Sequence, residues 1–150
     1  MRELRTEIKI KTSVSRVWEV LTDFDRYPEW NPFVPDISGE LERGARLNVL
    51  LTPPGQNGIR LKPVVRDVEQ QKTFRWLGHL LIPGLFDGEH IFELEPLAGG
   101  SVRFVQREVF RGILVGLFRR MLDTSTRQGF MAMNEALKKR AEESTGRKTA

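Results

Sequence analysis

The chain has 150 residues, 39% of them hydrophobic, with no cysteine, two histidines, and 24 basic against 20 acidic residues for a net charge of +4. That length is one domain's worth and can bury a core unaided, while the lack of cysteine excludes a disulfide scaffold, Cys-ligated zinc or iron–sulfur centres and thiol catalysis. Basic and acidic residues are interleaved except at Arg119, Arg120 and the C-terminal stretch, so the charge predicts a solvated surface and no nucleic-acid partner.

Residues Leu4, Thr6, Ile8 and Ile10 alternate with charged neighbours, the period of a half-buried strand. Ser13 or Ser15 then caps a short helix in which Val14, Val17, Trp18 and Leu21 recur at helical spacing. In DFDRYPEWNPF, Pro28 and Pro32 limit any helix to about one turn, and Tyr27, Trp30 and Phe33 make an aromatic elbow. Strands are expected over Arg46 to Thr52, Arg60 to Val68, Thr73 to Leu81, Glu89 to Leu94 and Val102 to Phe110, separated by turn signals that include PPGQNG, PGLFDG and LAGG. After Gly112 the period lengthens to 3.6, with Leu114, Phe118, Met121, Leu122, Phe130, Met133 and Leu137 on one face of a long helix. The order is β-α-α-β-β-β-β-β-β-α, an α+β domain over 1–143 with about seven strands in a curved antiparallel sheet around the last helix. Residues 144–150 read as a flexible basic tail.

The stretch VWEVLTDFDRYPEWNPF, the segment PGLFDGEHIFELEPLAGGSVRF and the closing RRMLDTSTRQGFMAMNEALKKRAE resemble the START-like SRPBCC superfamily, in particular its polyketide cyclase/dehydrase and lipid-transport group. The resemblance runs from Arg5 to about Glu143 and rests on Trp18, Leu21, Asp23, Tyr27, Pro28, Trp30 and Asn31 just after the first strand. It implies a helix-grip fold with a hydrophobic cavity between sheet and helix. Such folds host enzymes, carriers and binders alike, so the chemistry has to come from the site residues.

The hairpin from Glu89 to Phe110 is the most informative local pattern. If the LAGG turn pairs Leu94 with Phe104, then Phe92 faces Gln106 and His90 faces Glu108, because directly opposed residues share one face of the sheet. An imidazole beside a carboxylate on the cavity face suits general acid and base work; the same pair also suits a purely structural polar wall. Gln106 could orient a ligand carbonyl or hydroxyl. His79 runs opposite in phase to Phe74, Trp76 and Leu80 and reads as a rim or surface residue. The resemblance implies cavity walls at Trp30, Phe33, Phe74, Trp76, Phe86, Phe92, Phe104 and Phe110 with Met121, Leu122 and Phe130 from the helix, the alternative being ordinary core packing, which holds for several of them; among Asp123, Thr124, Ser125 and Thr126 either one, with Ser125 preferred, looks inward or all form a water-facing stripe. The elbow, the loop Ile82 to Phe86 and Gly112 to Gly116 could form a gate, or a protein- or lipid-docking patch. Asp23, Asn31 and Asp87 read as caps and turn formers.

Three functions are therefore expected, in order: binding or transport of a lipid, polyketide or isoprenoid-like molecule; a polyketide-cyclase/dehydratase-like enzyme using His90 and Glu108; and a docking module. No phosphate loop, serine-nucleophile signature or metal cluster stands out, so no metal or other cofactor is expected. No apolar run approaches the ~20 residues of a membrane helix and the N-terminus lacks a continuous apolar stretch, which predicts a cytoplasmic monomer or homodimer without stable membrane insertion.

Overall fold

The computed structural model describes residues 1–80 and 82–147, with no side chains described for 144–147. Strand β1 (Arg2–Ile10) is followed by helix α1 (Val14–Thr22), whose N-cap Ser13 accepts a hydrogen bond from the Arg16 amide at 3.1 Å. A 3-10 turn over Phe24–Glu29 replaces the expected second helix, shortened by Pro28. The elbow then locks: the Asn31 side-chain oxygen accepts from the amides of Phe33 and Val34 at 3.0 and 2.8 Å, driving Phe33 into the core.

Among the described residues eight strands form, in two sheets. Strands β5 (Val64–Glu69), β6 (Thr73–Leu80), β7 (Phe86–Leu97) and β8 (Ser101–Arg111) join β1 in the antiparallel order β1-β8-β7-β6-β5, and β2 (Asp36–Ser38), β3 (Asn48–Leu51) and β4 (Ile59–Leu61) make a small second sheet. The single strand expected over Arg60 to Val68 is split by Pro63, which has no amide to give to a ladder; the chain leaves β3 there and crosses to β6. Strand β7 starts at Phe86, three residues before the expected Glu89, because Asp87 and Gly88 still pair with His79 and Gly78. Leu81, expected as the last residue of the strand that begins at Thr73, lies outside the described residues.

Residues 112–118 form irregular turns in place of the expected first helical turns. Gly112 has φ 125°, and a Cβ there would meet the Leu85 carbonyl oxygen at 2.4 Å, so the β8 exit and the loop before β7 can touch only through glycine. The amides of Ile113 and Leu114 then donate to Gly84 and Leu85 carbonyls at 3.2 and 2.9 Å. A short helix α2 (Arg119–Met121), a π-helical segment over Leu122–Thr126 and the long helix α3 (Arg127–Arg147) follow as one rod. Of the expected tail, 144–147 continue the α3 backbone and 148–150 lie outside the described residues.

Alternation sorts most of the large sheet, with Ile91 and Val105 buried among the charged residues of the outer face. Its outer face carries an ion-pair ladder, with Arg107 bridging Glu3 at 2.9 Å and Glu93 at 3.1 Å and Arg103 bridging Glu7 at 3.0 Å and Glu95. The hydrogen bond and charge of Glu93, then Glu3, hold the Arg107 guanidinium above its usual range against partial burial. The inner face packs on α3 and buries Phe74, Phe92, Phe104, Phe130, Met133 and Leu137. This is a helix-grip architecture: a curved antiparallel sheet closed on its C-terminal helix.

Candidate functional site

Three cross-strand rows on the inner face of the sheet build the site. In the first, Phe74 pairs with Phe92, Phe92 with Gln106 and Gln106 with Thr6; in the second, Trp76 with His90, His90 with Glu108 and Glu108 with Leu4; in the third, Gly78 with Gly88 and Gly88 with Phe110. The register of the β7–β8 hairpin is the one the LAGG turn and its alternation imply. The first row is solid aromatic packing, with Phe74 and Phe92 centroids 4.7 Å apart. In the third row two glycines face each other, so β6 and β7 contribute no side chain at that level.

A cavity of about 180 Å³ opens over that glycine pair. That is close to the ~150 Å³ of a cavity known to take benzene and below the ~300 to 1,000 Å³ of drug-sized sites, so it fits a one- or two-ring molecule or one end of a longer chain. The expected residues Phe33, Trp76, Phe86, His90, Glu108, Phe110, Met121 and Leu122 line it. His79 stands at its rim, with Nδ1 2.8 Å from Asp87, and Asp87 also accepts from the Gly84 amide at 3.1 Å. Chiefly through the His79 hydrogen bond, the Asp87 carboxyl is held below its usual range.

The other expected wall residues do not line this space. Phe74, Phe92, Phe104 and Phe130 interlock in the solid core, since their rows leave no gap between sheet and α3. Trp30 packs edge-on against Tyr27, 5.1 Å away, and borders surface depressions beside Arg140. The Ser125 hydroxyl donates to the Pro54 carbonyl, tying the 53–58 loop down, while its neighbour Thr126 faces the cavity. Gln106 is fully buried, and both ends of its amide are occupied by protein.

Sequence reasoning missed the opposite wall, made by Leu51, Pro53, Gln56, Asn57, Ile59 and Leu61 from the small sheet and its loop. It also missed Gly78 and Gly88, although their signal was present: both keep the phase of the inward residues on their strands.

The polar chemistry is concentrated at the second row. His90 is 1% exposed, boxed by Phe92, Phe130 and Trp76 at ring distances of 4.6, 4.9 and 5.3 Å. Its Nδ1 lies 3.3 Å from Glu108 Oε1 and its Nε2 2.9 Å from Gln106 Oε1. The Glu108 side chain keeps 13% of its surface accessible, so within the pair the carboxyl is the group a ligand would meet. It fits because position 88 is glycine: a Cβ there would lie 2.2 Å from Glu108 Oε2. Phe33 reaches the cavity in the same way, over Gly129 of α3, where a Cβ would come within 2.5 Å of its ring. No group of three or more His, Asp or Glu converges among the described residues.

In the expected gate segments, Phe86 is buried and lines the cavity and Leu85 and Leu114 are half-buried, whereas Ile82, Ile113 and Leu117 are 60%, 80% and 76% exposed. No helix among the described residues is long and apolar enough to cross a membrane.

Comparison with solved structures returns this fold at low sequence identity. The protein TTHA0849 from Thermus thermophilus superposes with a TM-score of 0.73 at 19% identity, covering 95% of this chain and 99% of that one. The Zhui aromatase/cyclase from Streptomyces sp. R1128 gives 0.73 at 17% identity over 96% and 95% of the two chains. A START superfamily protein from Mycobacterium smegmatis gives 0.70 at 18% identity over 94% and 97%. No curated protein matches the sequence. The family model described as polyketide cyclase / dehydrase and lipid transport matches residues 1–142, and the chain belongs to that family.

Proposed function

We propose that the protein binds a hydrophobic small molecule in the cavity between the sheet and the C-terminal helix. The observation that carries this reading is an unfilled apolar cavity over the Gly78–Gly88 pair, with Glu108 as an acidic group on its wall. In a well-packed interior such a gap forfeits dispersion contacts, and a ligand restores them. The size favours a compact ring system over a whole lipid. Native mass spectrometry of protein purified from cells tests it: a co-purifying apolar molecule is expected. A bare protein whose cavity amides do not respond to one- or two-ring aromatics overturns it.

The His90–Glu108 contact favours a second reading, a lyase or isomerase acting on the ligand, as in an aromatase/cyclase. Glu108 would exchange a proton with the ligand and His90 would balance the charge from behind. Single replacements Glu108→Gln and His90→Gln, assayed on candidate polyketides, test it; unchanged turnover overturns it.

A further inference from the structure

The hydrogen bonds behind His90 form a chain whose direction can be read from its fixed end. Thr6 Oγ1 lies 3.0 Å from the main-chain carbonyl oxygen of Gln106, which can only accept, so the hydroxyl spends its one proton there. Asn134 contacts the same Thr6 oxygen at 2.9 Å and must therefore donate through Nδ2, which turns its Oδ1 towards Gln106. The Gln106 amide nitrogen donates to that Oδ1 at 2.8 Å, and a second fixed acceptor, the Phe130 carbonyl at 3.4 Å, lies on the same side. Gln106 Oε1 is thus left facing His90 Nε2 at 2.9 Å, and Nε2 has to carry a proton. Thr6, Gln106 and Asn134 come from three separate elements, β1, β8 and α3, and they are buried together with His90.

The lock has a consequence at the cavity wall. With the Nε2 proton committed to Gln106, the Nδ1 of a neutral ring is a lone pair aimed at Glu108 Oε1, 3.3 Å away. One further proton, on either atom, completes that contact. If it sits on Nδ1, Glu108 is a carboxylate; if it sits on Oε1, the other carboxyl oxygen is a carbonyl. In each case Oε2 is an acceptor, and it has no hydrogen-bond partner among the described residues.

We propose that Thr6, Asn134 and Gln106 are positioning residues that fix the His90 tautomer, and that they thereby keep Glu108 Oε2 as an acceptor selecting apolar ring ligands that carry a hydroxyl donor. This rests on the cavity-binding reading and adds the ligand's polar chemistry to it. Gln106 itself contacts no ligand.

Two measurements test it. Titration with 2-naphthol, naphthalene and 2-methoxynaphthalene, followed by the Gly78 and Gly88 amide resonances, compares a donor, no polar group and an acceptor only. The naphthol is expected to bind about tenfold tighter than the other two, the discrimination a hydrogen bond to a carboxyl group supplies, and Glu108→Leu is expected to abolish that preference. Equal affinities in the native protein overturn the donor requirement while leaving cavity binding intact. Failure of all three to move either glycine amide overturns the binding reading and this inference with it. Long-range ¹H–¹⁵N correlation of the imidazole reads the lock directly: Nε2 is expected to be protonated in the native protein, and the proton is expected to move to Nδ1 in Gln106→Met. A bare Nε2 in the native protein, or an unchanged tautomer in a folded Gln106→Met, overturns the lock.

Discussion

Replacing Gly78 by alanine should make the protein more stable. The position is buried on an extended strand, and a Cβ there would rest 3.5 Å from the Pro63 Cβ and 3.9 Å from Leu61 Cδ1, which is ordinary van der Waals contact. Removing a strand glycine contributes about 0.5 to 1 kcal/mol through the unfolded chain, and a partly buried methyl adds up to about 0.8 kcal/mol. The expected gain is about 1 to 1.5 kcal/mol, or a rise in Tm of about 3 to 5 °C for a chain of this length. Gly78→Leu should carry the effect further into the cavity and abolish ligand binding. The cross-strand partner gives the control: in Gly88→Ala the new Cβ displaces the Glu108 carboxyl from its place beside His90, and the loss of that contact offsets the gain from removing glycine, for a net cost of about 1 kcal/mol. Differential scanning calorimetry of the three variants decides it. If Gly78→Ala is destabilising, or if Gly78→Leu still binds ligand with native affinity, the glycine pair is not what creates the cavity.

Three other outcomes follow from the same geometry. Gly129→Ala, ordinarily worth about 1 kcal/mol to a helix, should instead cost about 1 to 3 kcal/mol in denaturant unfolding, because the buried Phe33 ring it strikes must give up its edge contact with Phe130 to move away. Ser125→Ala should loosen the 53–58 loop, at a cost of about 1 kcal/mol, and speed amide exchange in that loop without changing the core. The Asp87 carboxyl is depressed in the folded state, so its contribution is fully present above the unfolded range near pH ~4 and is lost as pH falls below it; an acid titration of stability should lose this component in Asp87→Asn.

What the sequence made legible was local or periodic. The β7–β8 register followed from one turn and two alternating strands, and it placed His90 against Glu108 without any knowledge of the rest of the molecule. Thr6 was legible as an inward residue of β1 for the same reason. Its bond to Asn134 was not, because a helix and a strand 128 residues apart meet through packing angles that no local pattern encodes. The aromatic residues suit cavity walls and core packing equally, and four of them fill the core: period shows which face is buried but says nothing of whether that face meets other side chains or space. The small sheet escaped notice as a wall because Pro63, read inside a strand, is where the chain changes sheets.

The π-helical segment between Met121 and Arg127 separates two tasks along one rod. Within it Leu122, Ser125 and Thr126 are buried, the i, i+3, i+4 set of one helix face, so the inward stripe runs through the segment unbroken. Deleting one residue there would close the wide turn into a regular one with little change in the direction the upstream side chains face. Met121 and Leu122 would stay on the cavity wall, and Phe130, Met133 and Leu137 would stay seated on the sheet. The rod can therefore gain or lose one residue at this point at little expense to the binding space or the core, which makes it the place where relatives with the same fold can differ in helix length.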